Sequence, residues 1–215
     1  MSHAENTLLD VHSANDAWRV TPTLIGQSVR LEPLSLAHVD ELNMAAADGV
    51  LWQLWFTSVP APSDMEAYVS TALSRHQEGS AMPFVVRDAA GCIVGSTRYG
   101  HMEISNARLE IGWTWYAQRV QRTALNTEAK RLMLGHAFDV LGCGSVEFRT
   151  SWFNHASRAA ILRLGAKQDG VLRNHMKMPD GSYRDTVVFS ILANEWPMVR
   201  THLDHRLSHR LETPK

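Results

Sequence analysis

The stretch Leu109-Glu-Ile-Gly-Trp-Thr-Trp-Tyr116 and the residues that follow it decide the fold. Apolar and polar side chains alternate along this stretch, which is the period-two pattern of a β-strand. The alternation predicts that the side chains at odd numbers from Leu109 to Trp115 share one face and that those at even numbers from Glu110 to Tyr116 share the other. The basic and polar connection Ala117-Gln-Arg-Val-Gln-Arg-Thr-Ala124 follows the strand.

A long helix comes next, because Thr123 is a favourable N-cap and Gly142 a favourable stop. Its apolar residues recur at helical spacing: Leu125, Ala129, Met133, Ala137 and Leu141. A strand, a polar loop and a helix N-terminus, in this order, present unpaired backbone N–H groups at the positive end of a helix dipole. Such a place binds phosphate, although a connecting loop is often simply polar.

The elements on both sides of this stretch predict an α+β fold. Upstream, residues 28–32 favour a strand, two helices begin near Ser35 and Ser63, and residues 84–86 and 92–94 favour a hairpin. Downstream, residues 145–150 favour a strand, residues 157–164 a short helix, and two last strands end at residue 192. This order indicates one mixed sheet flanked by helices.

Composition favours an ordinary soluble globular protein, since 45% of the 215 residues are hydrophobic and 20% are charged. The net charge of −1 provides no global positive field for nonspecific nucleic-acid binding. Two cysteines are too few for a disulfide framework, and residues 1–10 lack the pattern of an export signal. No apolar stretch approaches the ~20 residues of a membrane span. We therefore expect a cytoplasmic protein that binds neither nucleic acid nor membrane.

One domain occupies most of the chain. Residues 1–20 form a polar N-terminal arm, residues 21–198 the domain, and residues 199–215 a helical tail. In the tail, His202, His205 and His209 would share one helix face, but no second cluster completes a metal site, so we expect no metal. The arm and the tail could support a homodimer.

Three linked motifs resemble the GNAT acetyltransferases, in the branch similar to ribosomal-protein N-terminal acetyltransferases. Leu109-Glu-Ile-Gly-Trp113 is similar to the Leu/Ala-Glu-Ile-Gly-Trp strand of that branch, and Asn126-Thr-Glu-Ala129 is similar to its Ala-Thr-Glu-Ala helix start. Between them, Arg119 and Ala124 match the ends of an Arg/Gln-x-x-Gly-x-Gly/Ala loop whose backbone holds the coenzyme A pyrophosphate. Arg122 replaces the middle glycine, which weighs against a positive φ there and could instead supply a charged contact.

The third motif is Asn154-His-Ala-Ser157, followed by Leu162-Arg-Leu-Gly-Ala166. The resemblance, which covers about residues 24–192, implies that Asn154 and Ser157 lie beside the pantetheine arm and the sulfur, although both are also ordinary helix-capping residues. It also implies a mostly antiparallel sheet in which the strand at 109–116 splays from the strand at 145–150. The coenzyme-binding residues that it implies are Trp113, Thr114, Arg119, Gln121, Arg122, Thr123, Ala124, Asn154 and Ser157.

The activity implied by the resemblance is acetyl-CoA-dependent N-acetyl transfer, in which a primary amine attacks the thioester directly within a ternary complex. The thioester is already activated, so the protein mainly aligns the amine and stabilises developing charge, and it needs no metal. Glu110 is the candidate base, directly or through water, because it is the only carboxylate between Glu103 and Glu128. An ordinary salt-bridged strand residue would look the same.

The departing thiolate also needs a partner. Ser157 is the candidate that hydrogen-bonds or protonates it, and Asn154 completes the catalytic set. Tyr116 and His155 are alternative acids.

The acceptor amine is less defined by the sequence. Trp52, Trp55 and Phe56 lie between the first two helices, in a connection that commonly borders the acceptor pocket in GNAT enzymes. We expect Trp52, Trp55 and Glu110 to bind the acceptor, which is a protein or peptide N-terminus or a small-molecule amine, although aromatic residues more often pack in a core or lid. Two other functions stay open: a non-catalytic acyl-CoA sensor or interaction module, and a structural domain without coenzyme affinity.

Overall fold

The computed structural model describes residues 16–57, 59–178 and 180–211. The strands in these residues are β1 (Leu24–Ile25), β2 (Val29–Pro33), β3 (Met82–Asp88), β4 (Ile93–Glu103), β5 (Arg108–Tyr116), β6 (Ser145–Ser151), β7 (Lys167–Lys177) and β8 (Tyr183–Leu192). The α-helices are α1 (Val39–Ala47), α2 (Met65–Gln77), α3 (Leu125–Gly135), α4 (His155–Arg163) and α5 (Trp196–Leu211). The strands form one sheet in the order β1-β2-β3-β4-β5-β6-β8-β7. The predicted α+β class is confirmed.

Two central strands, β5 and β6, pair in parallel, whereas the other neighbouring strands of the described sheet are antiparallel. The parallel register covers three residue pairs and ends where Glu110 lies opposite Glu147. Beyond that point β5 and β6 diverge, while β6 stays paired with β8 from Ser145 to Ser151. The predicted mostly antiparallel sheet with splayed central strands is confirmed.

A β-bulge interrupts β5 just past the point of divergence. The register between β4 and β5 shifts there, so that Trp113 and Thr114 together oppose Thr97. Trp113 adopts a φ of 49°, in the left-handed region that side chains other than glycine rarely occupy. A bulge of this kind inserts one residue and changes the direction of the side chains that follow it.

The bulge separates the side chains of Trp113 and Thr114. The Trp113 ring lies against Gly100, where an added Cβ would be 2.3 Å from it, and the ring contacts His101. Thr114 instead hydrogen-bonds with Lys130 of α3. The predicted strict alternation is therefore wrong at Trp113 and Thr114, because the inserted residue shifts the pleat.

Glu128 holds the start of α3 against the turn between β1 and β2. Its carboxylate accepts hydrogen bonds from the backbone N–H of Gln27 at 2.5 Å and of Ser28 at 2.8 Å, and from the Ser28 hydroxyl. Gly26 permits this approach, since an added Cβ would lie 2.5 Å from Glu128 Oε1. The glutamate of the predicted helix-start motif thus fixes the position of the helix N-terminus.

The two ends of the described chain pack on the same helix. Trp18, within the predicted arm, is buried, and its Nε1 donates to the Leu141 carbonyl at 3.0 Å. Helix α5 contacts α3 through a 2.7 Å ion pair between Arg131 and Asp204. Residues 1–15 of the arm and 212–215 of the tail lie outside the described residues. The division into arm, domain and tail stays a prediction.

No helix of the described ranges combines the length and the apolar character that crossing a bilayer requires.

Replacing Glu128 with Ala should lower the free energy of unfolding by about 2 kcal/mol, because charged hydrogen bonds to three donors are lost. Urea denaturation measures this change. Glu66→Ala is the matched control, since Glu66 is an exposed glutamate in the first turn of α2. Equal effects of the two substitutions would contradict the anchoring role of Glu128.

Candidate active site

A cavity of about 500 Å³ occupies the gap between the diverging parts of β5 and β6. Its wall combines both strands with the loop before α3, the first turns of α3, and α4. The connection between α1 and α2 contributes Leu54, Phe56 and Val59 to the wall, and α5 contributes Arg206. We call this space the central cavity.

The loop before α3 carries backbone donors that have no acceptor in the part of the chain that the structure describes. The N–H groups of Arg122, Thr123 and Ala124 donate to no acceptor within the described residues. Gln121 ties the loop to the end of β5, because its Nε2 donates to the Tyr116 carbonyl at 2.9 Å. Free N–H groups at the start of a helix form a site for an anion.

Arg122 adopts a φ of 63°, although it is not a glycine. The expectation that Arg122 weighs against a left-handed backbone is therefore wrong. The conformation costs about 1–2 kcal/mol for a residue with a Cβ, and the contacts at the two ends of the loop must maintain it. The loop thus keeps the backbone form that the family glycine would favour, with a cationic side chain added.

Most of the predicted coenzyme-binding residues lie together. Those that line the central cavity are Trp113, Thr114, Gln121, Arg122, Thr123, Asn154 and Ser157. Arg119 and Ala124 are absent from its wall. The backbone N–H and Nη1 of Arg119 bind Asp48 at 3.2 and 3.1 Å. The Asn154 side chain caps α4 by accepting a hydrogen bond from Ser157 N at 3.0 Å, so the capping reading of this motif also holds.

The wall of the central cavity is strongly cationic. Its charged side chains are Arg122, Lys130, Arg149, Arg163, Arg184 and Arg206, and none of the described residues in the wall is an Asp or Glu. Asn126 Oδ1 and Arg206 Nε are buried in it without a hydrogen-bond partner in the described chain. The last four arginines could not be predicted as site residues, because they come from separate late elements and form no local motif. Such a wall favours a polyanionic ligand.

Lys130 is a buried lysine beneath the bulge of β5. Its Nζ donates to Thr114 Oγ1 at 2.7 Å and to Thr97 Oγ1 at 3.2 Å. Burial lowers the pKa of Lys130 from 10.5 to about 7, because the charged ammonium loses its hydration. Lys130 could not be predicted as a site residue, because a polar residue in a helix with a clear apolar stripe is expected to face solvent.

Glu110 is buried, with its side chain only 7% exposed, and it does not itself line the central cavity. Its Oε2 accepts a hydrogen bond from His101 Nδ1 at 2.8 Å and lies 3.6 Å from Arg149 Nε. Burial lowers the pKa of Arg184, and the negative charge of Glu110 partly offsets this change. Glu110, the predicted base, therefore also forms ion pairs within the sheet, as the alternative interpretation of a salt-bridged strand residue predicts.

The predicted acceptor residues Trp52 and Trp55 do not line the central cavity. Trp52 is half-buried against the core, and Trp55 is 64% exposed. The Trp55 ring contacts Phe56 and Phe153, with ring centroids 5.6 Å apart in both pairs. Phe56 is the member of the predicted aromatic group that lines the cavity, together with Tyr68 of α2.

The remaining candidates have other surroundings. Tyr116 lines the central cavity with its hydroxyl buried, and burial raises its pKa. His155 is exposed at the start of α4. In the tail, His202 contacts the Arg163 carbonyl at 3.1 Å and the His205 and His209 rings lie 3.9 Å apart. Across the described residues, no group of three or more His, Cys, Asp or Glu side chains could hold a metal ion.

The proteins to which this chain is similar are acetyltransferases. Residues 28–167 match the family model described as acetyltransferase (GNAT) domain. YdaF of Bacillus subtilis (strain 168), which is named as a ribosomal N-acetyltransferase, is 28% identical over 106 residues, which are 49% of this chain and 57% of YdaF. The match thus spans little more than half of that relative.

Solved structures extend the comparison over most of the chain. A GCN5-related N-acetyltransferase from Brucella melitensis is 30% identical, with a TM-score of 0.77 over 87% of this chain and 86% of that chain. RimJ of Mycobacterium smegmatis, solved with CoA-disulfide, has a TM-score of 0.73 at 22% identity over 88% of this chain and 96% of its own. At that identity the likeness to RimJ concerns the fold alone.

Replacing Lys130 with Met should change how stability depends on pH. Between pH 7 and pH 10.5 the unfolded chain holds a proton on Lys130 that the folded chain lacks, so the free energy of unfolding rises with pH, by at most about 1.4 kcal/mol per unit. Below pH 7 the penalty of the buried charge is complete. Lys130→Met should remove this rise, as urea denaturation at pH 6.5, 8 and 9.5 would measure.

The exposed Lys177 provides the control for this measurement, and Lys177→Met should leave the pH dependence of stability unchanged. A wild-type protein whose pH dependence equals that of Lys130→Met would contradict a depressed pKa at Lys130.

Proposed function

The chain belongs to the GNAT acetyltransferase family, as its motifs predict, and from this premise we propose that it transfers an acetyl group from acetyl-CoA to a primary amine. The observation that carries the proposal is the central cavity. It lies where β5 and β6 separate, it begins at unused backbone donors, and its charged wall residues are all cations.

The residues present fit coenzyme A in its two chemically distinct parts. The N–H groups of Arg122, Thr123 and Ala124 would hold the diphosphate, and the Arg122 guanidinium adds a charge-assisted contact. The unpaired edges of β5 and β6 beyond Glu110 and Glu147 would bind the amides of the pantetheine arm, since strand edges offer free donors and acceptors. The cationic wall supports the same assignment.

Transfer requires a neutral amine and a stabilised thiolate. A peptide α-amine, with a pKa of about 7.7–8.0, loses its proton more readily than a lysine amine at about 10.4, so a modest base suffices. We assign the carboxylate of Glu110 to proton removal, directly or through an intervening group. We assign Ser157, with Asn154 beside it, to stabilise or protonate the departing sulfur, because both line the central cavity.

Two classes of acceptor amine are proposed. A protein or peptide N-terminus is favoured by the name of YdaF, and a small-molecule amine is the other candidate. The non-catalytic sensor loses its best support, because Arg122 keeps the left-handed backbone of the loop.

Acetyl transfer can be tested by free-thiol release from acetyl-CoA with a panel of peptides and small amines, alongside thermal shift. Acetyl-CoA at 100 times its Kd should stabilise the protein by about 2.7 kcal/mol, because it binds only the folded state. At least one amine should release thiol. Ser157→Ala should keep the thermal shift and lower kcat by about 10-fold or more.

Ser105→Ala is the matched control, since Ser105 is exposed and outside the wall of the central cavity. An absent thermal shift together with absent thiol release would refute the proposal. A thermal shift without release for any amine would favour the sensor, and an unchanged rate in Ser157→Ala would dismiss the role of that residue.

A further inference from the structure

We propose that the imidazole of His101, oriented by the buried carboxylate of Glu110, accepts the proton of the acceptor amine. The inference rests on the proposed function and deepens it, because it names the group through which Glu110 acts. His101 lies in β4, opposite the start of β5, and was not among the residues that the sequence singled out.

The hydrogen bond between the two side chains fixes which ring nitrogen is free. His101 Nδ1 lies 2.8 Å from Glu110 Oε2. An ionised carboxylate only accepts hydrogen bonds, so Nδ1 must carry the proton. In the neutral ring, Nε2 then presents a lone pair, and it has no hydrogen-bond partner among the described residues. A ring held in one tautomer by a carboxylate is the arrangement that general-base histidines use.

The solvent exposures of the His101 and Glu110 side chains indicate which of the two can contact a substrate amine. The Glu110 side chain is 7% exposed, whereas that of His101 is 50% exposed. Glu110 Oε2 is committed to His101 and to Arg149, and Oε1 lies over Gly112, where an added Cβ would be 2.6 Å away. A substrate amine can therefore reach the imidazole far more easily than the carboxylate.

The position of His101 relates it to the reaction centre. Its ring contacts Trp113, with centroids 5.4 Å apart, and Trp113 lines the central cavity at the bulge of β5. His101 itself adopts a φ of 46°, at a second irregularity in the register between β4 and β5. Two left-handed residues in contact across a strand pair store backbone strain, which is common where a site fixes a side chain for function.

Several charged groups surround this pair and set its electrostatics. They are Glu103 at the end of β4, Arg98 over the Trp113 ring, Arg149 of β6 and Arg184 of β8. Arg149 Nε lies 3.6 Å from Glu110 Oε2, so this carboxylate has a cationic partner in addition to its contact with His101. The negative charge of Glu110, 2.8 Å from His101 Nδ1, stabilises the imidazolium that forms when His101 takes a proton.

The proton balance is complete without a further reactant. His101 Nε2 removes one proton from the substrate ammonium, and the nitrogen lone pair then forms a C–N bond to the acetyl carbonyl carbon. The C–S bond breaks, and its electron pair leaves on the sulfur. The nitrogen loses its second proton as the sulfur gains one, and the imidazolium returns the first proton to solvent.

The decisive experiment compares His101→Asn with Glu110→Gln in the free-thiol assay. Asparagine tolerates a positive φ and keeps an N–H donor toward Glu110, but it cannot accept the proton. At pH 7, kcat/KM should fall about 100-fold or more in His101→Asn and about 10-fold in Glu110→Gln, whose amide oxygen still orients the ring. The deficit of His101→Asn should shrink as pH rises, because the amine then loses its proton unaided.

Two further readouts separate proton transfer from a structural effect. The loss of kcat/KM in His101→Asn should be larger for a lysine-like amine, with a pKa of about 10.4, than for an α-amine, with a pKa of about 7.7–8.0. Added imidazole should restore activity to His101→Gly, in which glycine accepts the positive φ. His76→Asn is the control, since the His76 ring contacts the Ala81 carbonyl away from the central cavity. Thermal shift with acetyl-CoA confirms that each variant is folded.

The outcomes are distinct. A larger loss in Glu110→Gln than in His101→Asn at pH 7 would overturn the inference, and so would wild-type rates in His101→Asn or a deficit independent of pH. Absence of transfer by the wild-type protein would instead refute the proposed function.

Discussion

The parallel pairing of β5 and β6 ends after Glu110 and Glu147, and the central cavity exists because the two strands then separate. Each strand stays bound on its other side, β5 to β4 and β6 to β8, so the gap opens without loss of the sheet. Unpaired backbone groups buried away from water cost free energy. Here these groups border a cavity, where a ligand with amide groups can satisfy them. The separation of β5 and β6 is therefore both an irregularity of the sheet and the origin of the candidate site.

The bulge at Trp113 and Thr114 places these two side chains on opposite faces of β5. On one face, Thr114 accepts a hydrogen bond from the buried Lys130 amine, which α3 places beneath the strand. On the other, Trp113 contacts His101, which is bound to Glu110. Helix α3 in turn depends on Glu128, whose carboxylate fixes the helix start and hence the loop that carries the free donors. The site thus depends on a chain of local polar contacts and strained backbone.

Much of this arrangement could be predicted from local sequence, and the rest depends on contacts between distant residues. The strand, the loop and α3 follow from alternation, polarity and helical spacing, and the motifs place Asn154 and Ser157 in the site. The bulge could not be predicted, because it is a property of the register between two strands. The same register hid the contact of His101 with Glu110. The left-handed backbone of Arg122 could not be predicted either, because the loop imposes it on a residue type that does not favour it.

The central claim is that the diverging strands and the loop before α3 hold one continuous coenzyme. A crystal structure of the chain with coenzyme A tests it most directly. The diphosphate oxygens should lie about 2.7–3.2 Å from the backbone nitrogens of Arg122, Thr123 and Ala124, with the sulfur between β5 and β6 near Ser157. A gap filled by the protein's own side chains, or a coenzyme bound elsewhere on the surface, would contradict the claim.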